Sequence, residues 1–336
     1  MYQSFSPFFQ SPSPEELRHK QEKRRMRNDV AYVGALSLAL TIVMQYAFSF
    51  VVILLVRYGL LSADSLNETY LGLGNTRYMV LYMSIYVLSL FLPALIVSFS
   101  FKKRFCPFGP AKSVPFAVAF FGVLAAVGLC MLSNILNSYL LYYFSEMGLN
   151  VPEAPQTMVE TPTSLALNLF TIAVLPALLE EMIYRGYILR VLRPYGNLMA
   201  VMVSSLLFSL MHGNLRQIPF AFMVGLVLGF LYVSTNNIWL PIAVHLANNA
   251  ISVLMEYFAF FVPSDYRNVF YSLVIYGLIA VGALCALILL VGCAKHLRVR
   301  RANTSLSYFD RIGVLLSSPL FLASVLMYIL LLFLEV

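Results

Sequence analysis

Residues 167–190 read LNLFTIAVLPALLEEMIYRGYILR. The run is long and apolar enough for a membrane helix, yet it carries Glu180, Glu181 and Arg185. A charge at the bilayer centre costs at least ~2.5–3.5 kcal/mol. A chain that keeps three charged groups there has a use for them. The segment therefore raises two questions: what kind of helix bundle holds it, and what the charges do.

The whole chain of 336 residues is 60% hydrophobic and 11% charged, where soluble domains are ~25% charged. Its mean hydropathy is +0.82. This balance excludes a soluble domain and predicts an all-α, polytopic membrane helix bundle. The net charge of +7 does not imply nucleic acid as a partner, because the basic residues form short clusters between apolar runs. Membrane topology accounts for such clusters. The four cysteines, Cys106, Cys130, Cys285 and Cys293, show no metal or redox spacing. Three of them lie in or beside apolar runs, where cysteine acts as a small hydrophobe.

Apolar runs occur at about 30–56, 78–101, 115–143, 164–189, 198–212, 219–235, 238–260, 269–293 and 312–334. A membrane helix needs ~20 apolar residues, so about nine transmembrane helices are expected. The basic stretches HKQEKRRMR (19–27), Lys102 to Arg104, Arg190 with Arg193, and KHLRVRR (295–301) fall at alternate connections. By the positive-inside rule they face the cytoplasm, which puts the N-terminus inside and the C-terminus outside. The loop near 144–163 holds Glu146, Glu153 and Glu160 without Lys or Arg, and is expected outside. Residues 1–28 are polar, with a Pro/Ser-rich start, and read as a disordered cytoplasmic tail without a cleavable signal. Residues 29–336 read as a single transmembrane domain without an internal repeat. Pro219 suits the first turn of the sixth helix, and Gly225 and Gly229 have the spacing that lets helices approach closely.

Depth along the helices brings further polar residues to the charged pair. With Arg190 at the cytoplasmic surface, Glu180 lies ~15 Å deep. His212 lies ~21 Å along the fifth run, while His245 and Asn249 lie ~10 Å and ~16 Å along the seventh. The two other histidines, His19 and His296, sit in basic segments. Glu181 and Arg185 are i,i+4 neighbours with the acid first, the favourable order for an ion pair. Glu180 has no such partner and is the candidate general base. Pro176 and Pro241 each lie four residues before a polar residue, Glu180 and His245. Each can free a backbone carbonyl that then needs another donor. Pro241 is read equally well as a helix start.

These residues together resemble the CAAX protease and bacteriocin-processing (Abi) family of intramembrane glutamic endopeptidases. Its three motifs are EExxxR, FxxxH and HxxxN. Here they read EEMIYR (Glu180 to Arg185), FSLMH (Phe208 to His212) and HLANN, with His245 and Asn249 at the motif spacing. The resemblance covers about 164–256. It implies that Glu180 and His212 activate water for attack on a peptide carbonyl, and that His245 and Asn249 bind the developing oxyanion. It further implies that Glu181 and Arg185 position the first motif and that Phe208 shapes the substrate face. The expected partners are the lipid bilayer and a peptide or protein substrate, lipidated or membrane-associated, with the chain in the cell (plasma) membrane. Metal-free chemistry is expected. Zinc held by Glu180, His212 and His245 is the alternative, although no HExxH motif is present.

Two other readings apply to the same residues. Glu180, Glu181 and Arg185 could form a structural ion-pair network, which leaves Glu180 unexplained. The chain could also be a non-catalytic membrane protein, either a transporter or a regulatory or immunity scaffold, since intramembrane Glu, His and Arg mark proton-coupled carriers as well.

Overall fold

The computed structural model describes residues 12–62, 64–67, 69–103, 108, 111–149, 151, 159, 161–293, 299 and 302–335. Helices make up the regular structure of these residues: α1 (Pro14–Arg57), α2 (Asn75–Ser100), α3 (Phe116–Glu146), α4 (Pro162–Tyr195), α5 (Asn197–Leu210), α6 (Ile218–Thr235), α7 (Trp239–Phe260), α8 (Ser264–Gly292), α9 (Tyr308–Leu316) and α10 (Pro319–Glu335). Two short 3-10 turns separate α1 from α2. An all-helical chain follows from the composition, because in lipid every backbone N–H and C=O must find its partner within the protein.

All nine apolar runs coincide with helix, but their capacity to span differs. Six helices, α1, α2, α3, α4, α6 and α8, are long and apolar enough to cross a membrane. A seventh span exists if α9 and α10, bent by 66° at the break between them, count together. The expected fifth span, α5, has only 14 residues. That is ~21 Å of helix. The expected seventh, α7, is long enough at 22 residues but carries His245, Asn248, Asn249 and Glu256. The two helices that fall short of a simple span are thus those that bring the histidine motifs. The chain is an integral multi-pass membrane protein.

The N-terminal segment also differs from expectation. Where a disordered tail was expected to residue 28, helix begins at Pro14; residues 1–11 lie outside the described residues. Ser13 and Glu16 form a reciprocal capping box, and Pro14 occupies the first turn, where its missing N–H costs nothing. Tertiary contacts hold this polar extension. Lys23 pairs with Asp310 at 2.6 Å, and Glu22 accepts from the Ser305 hydroxyl at 2.7 Å. Deeper in α1, buried Asp29 accepts from the Tyr195 hydroxyl at 2.6 Å and pairs with Lys103, tying α1 to the ends of α2 and α4.

Two packing clusters frame the site. One joins α1, α2, α4, α5 and the α9–α10 pair with part of α6 and α7; the other joins α3 to α6 and α7. Close approach depends on glycine. A Cβ on Gly225 of α6 would lie 3.0 Å from Ser205 Cβ, and one on Gly229 would lie 3.0 Å from Val201 Cγ1. The Gly225/Gly229 stripe therefore seats α6 against α5, as its spacing suggests. Pro219 lies in the first turn of α6 and Pro241 in that of α7. For Pro241 the helix-start reading holds.

Candidate active site

The α4 helix is not regular. Stretches Leu169–Val174 and Met182–Leu189 are wound as π-helix, with the short α-helical turn Leu175–Glu181 between them. Such widened turns mark places where a helix accommodates an insertion and re-aims side chains, often at functional sites. Here they flank Pro176 and the glutamate pair. Pro176 has no N–H to offer the carbonyl of Ile172, four residues earlier. The Asn249 amide nitrogen donates to that carbonyl at 2.9 Å. The carbonyl freed by Pro176 is thus claimed by a residue of the third motif, which ties α7 to α4.

Adjacent glutamates have different surroundings. Glu181 is fully buried. Its Oε1 accepts from Arg185 Nη1 at 2.8 Å and from His245 Nδ1 at 3.0 Å. Arg185, also fully buried, donates from Nη2 to the Gly225 carbonyl at 3.1 Å and lies 4.7 Å from the Phe208 ring centroid. The expected Glu181–Arg185 pair is present, with His245 as a third member that motif spacing did not reveal. Glu180 instead lines a cavity of about 680 Å³. Its Oε1 accepts from the Tyr86 hydroxyl at 2.6 Å, while Oε2 lies 3.8 Å from His245 Nε2.

The cavity collects residues from all three motifs: Glu180 from α4, Phe208 from α5 with His212 just beyond it, and His245 and Asn249 from α7. The α5 helix ends at Leu210, so His212 lies in a turn, and Gly213 follows with φ of 63° in the left-handed region where glycine is at ease. His212 Nδ1 faces the Phe208 carbonyl at 2.9 Å. A carbonyl only accepts, so Nδ1 carries the hydrogen and Nε2 is the free acceptor in a neutral ring. The same logic gives His245 Nδ1 its hydrogen toward Glu181. Phe208 stands edge-on to both rings, with centroids 5.1 Å from His212 and 5.9 Å from His245. It is nearly buried, and it steadies the two imidazoles as well as facing the cavity.

Asn249 is less open than the third motif suggests. One amide hydrogen goes to Ile172, and its Oδ1 accepts from Asn248 Nδ2 at 3.0 Å. Its second amide hydrogen remains for other use. Among the described residues no group of three His, Cys, Asp or Glu side chains is arranged to hold a metal ion.

Tyr86 was missed from the sequence. It lies 94 positions from Glu180 on α2. Its only signal was a helical stripe, Tyr78, Tyr82 and Tyr86, all of which line the cavity. Asn168 was missed as well, and Asn248 was set aside for Asn249 on motif spacing; both are buried and line the same cavity.

Residues 162–251 match a protein-family model described as Type II CAAX prenyl endopeptidase Rce1-like. The chain is 23% identical over 216 residues to the putative membrane peptidase YdiL of Bacillus subtilis (strain 168), covering 64% of this chain and 85% of that protein. It is 27% identical over 116 residues to the membrane-embedded CAAX protease MroQ of Staphylococcus aureus (strain USA300), covering 32% of this chain and 47% of that protein. No solved structure gives a significant match. The family match contains all three motifs, and the resemblance to the CAAX protease and bacteriocin-processing family is borne out. By their names the first of these relatives is a putative membrane peptidase and the second a membrane-embedded CAAX protease.

Proposed function

We propose that the chain is an intramembrane endopeptidase that hydrolyses a peptide bond near the cytoplasmic half of the cell (plasma) membrane. The supporting observation is that Glu180, His212, His245 and Asn249, contributed by three separate segments, line one cavity of about 680 Å³. Glu180 with His212 would take a proton from water as its oxygen bonds to the scissile carbonyl carbon. The C=O electron pair then moves onto oxygen. Collapse of the tetrahedral species breaks the C–N bond, and the proton held by the Glu180–His212 pair passes to the leaving amine.

The oxyanion needs donors aimed at it. With Nδ1 committed to Glu181, His245 can offer an N–H to the oxyanion from Nε2 when both ring nitrogens carry hydrogen. Asn249 supplies its second amide hydrogen. Glu181 and Arg185 fix His245 and the first motif. No step is routed through a metal. The substrate is a peptide or protein at the membrane, lipidated or carrying an apolar segment, and the catalytic core is about 164–256 of a single domain.

The test is cleavage of internally quenched peptides with apolar centres by the full-length protein in proteoliposomes. Glu180→Ala, His212→Ala and His245→Ala should each lower turnover by roughly 10²–10⁴-fold. Retention of wild-type cleavage by all three variants would sink the assignment. Thorough chelation should leave the rate unchanged, and loss restored by added zinc would favour the metal alternative.

A further inference from the structure

The terminal torsion of a glutamate is broad and roughly two-fold. A carboxylate without a directional partner therefore presents either oxygen to a reacting water, over a range of angles. Glu180 lacks an in-helix cation, since the Arg185 contacts described above go to Glu181 and Gly225. The hydroxyl of Tyr86 meets Glu180 Oε1 at 2.6 Å. That separation is typical of an O–H bonded to an ionised oxygen. The Tyr86 ring is itself held, stacked on Tyr82 with centroids 6.4 Å apart and planes 13° from parallel. It also packs against the main core cluster. Oε2 of Glu180 is buried and has no hydrogen-bond partner among the described residues.

We propose that Tyr86 is a positioning residue for hydrolysis: by holding Oε1 of Glu180 it leaves Oε2 as the oxygen that takes the proton from water. The inference rests on the reading of Glu180 as the base. It adds a helix that neither the three motifs nor the family match at 162–251 includes, since Tyr86 belongs to α2. The stretch Leu175–Glu181 that carries the glutamates packs against α2.

The experiment uses full-length protein in proteoliposomes with the same pool of internally quenched peptides. Tyr86→Phe keeps the ring and removes the hydroxyl. It should lower kcat about 10- to 100-fold, the scale of a mispositioned reacting group, with KM nearly unchanged. Tyr86→p-aminophenylalanine restores a donor at the same place and should recover much of the lost kcat. It also carries the test should the Phe variant fold poorly. Wild-type kcat in Tyr86→Phe alongside an inactive Glu180→Gln overturns the role of Tyr86 and leaves the base intact. A rise in KM alone makes Tyr86 a substrate contact and overturns positioning, as does a p-amino variant no better than Phe. Wild-type cleavage by Glu180→Gln, or a pool that the wild-type protein does not cleave, overturns both readings.

Discussion

The two sides of the α4 turn at 180–181 make the most instructive comparison in the molecule. On one side Glu181, Arg185, His245 Nδ1 and the Gly225 carbonyl form a sealed network in which both members of the in-helix ion pair have no exposed surface. On the other, Glu180 faces a cavity and has one hydroxyl partner. The glutamates are chemically identical and adjacent. One residue along a helix rotates the side chain by ~100°, and that rotation separates an ion-paired carboxylate from one that lines the cavity. His245 joins the sides, with one ring nitrogen on Glu181 and the other 3.8 Å from Glu180.

The sharpest way to break this comparison is to neutralise each glutamate alone. Glu180→Gln should cost turnover by roughly 10³–10⁴-fold while thermal unfolding in detergent stays near that of the wild type. Glu181→Gln should lower the unfolding midpoint, with the loss of turnover following from a displaced His245. Equal effects on both measurements would erase the distinction between the sides. Next in size is Arg185→Leu, which leaves Glu181 as a buried charge without its cation and should cost about 3–5 kcal/mol of stability. Glu181→Gln added to Arg185→Leu should return part of that loss, because the orphaned charge disappears. The smallest effect expected is from Asn249→Ala. Removing the donor to the Ile172 carbonyl should cost ~1–3 kcal/mol, with turnover reduced as well. Reduced stability with intact turnover would show that the tie to α4 is the main use of Asn249.

Much of this was legible in the chain. The helices follow from apolar runs that have no alternative in lipid, since each satisfies its own backbone bonds. The unequal surroundings of Glu180 and Glu181 follow from the four-residue step to Arg185. The freed carbonyl before Pro176 was also foreseeable, but its partner was not: Asn249 lies 77 positions away. Tyr86 was illegible for the same reason, because a tyrosine stripe on α2 has no mark that names its neighbour. The helical extension at 14–28 was hidden by its polarity, which reads as disorder until the pairing of Lys23 with Asp310 and of Glu22 with Ser305 is seen. Nine spans were expected where six or seven helices are long and apolar enough to cross, because α5 is short and α7 carries the site's polar residues.

By itself the chain determined an all-helical membrane protein with three motifs in order along it and an ion pair, Glu181 with Arg185, that leaves Glu180 without an in-helix partner. These are local matters, settled by hydropathy and by bonds spanning four residues. The tertiary structure decided which helix supplies the hydroxyl to Glu180, that His245 bridges the glutamates, and that Asn249 repairs the carbonyl opened by Pro176. Those contacts depend on how helices rotate and approach, and that is set by side-chain volume and by glycines such as Gly225 at the seams. Helical backbone hydrogen bonds close within one strand of sequence, whereas packing joins residues that only the folded chain brings together.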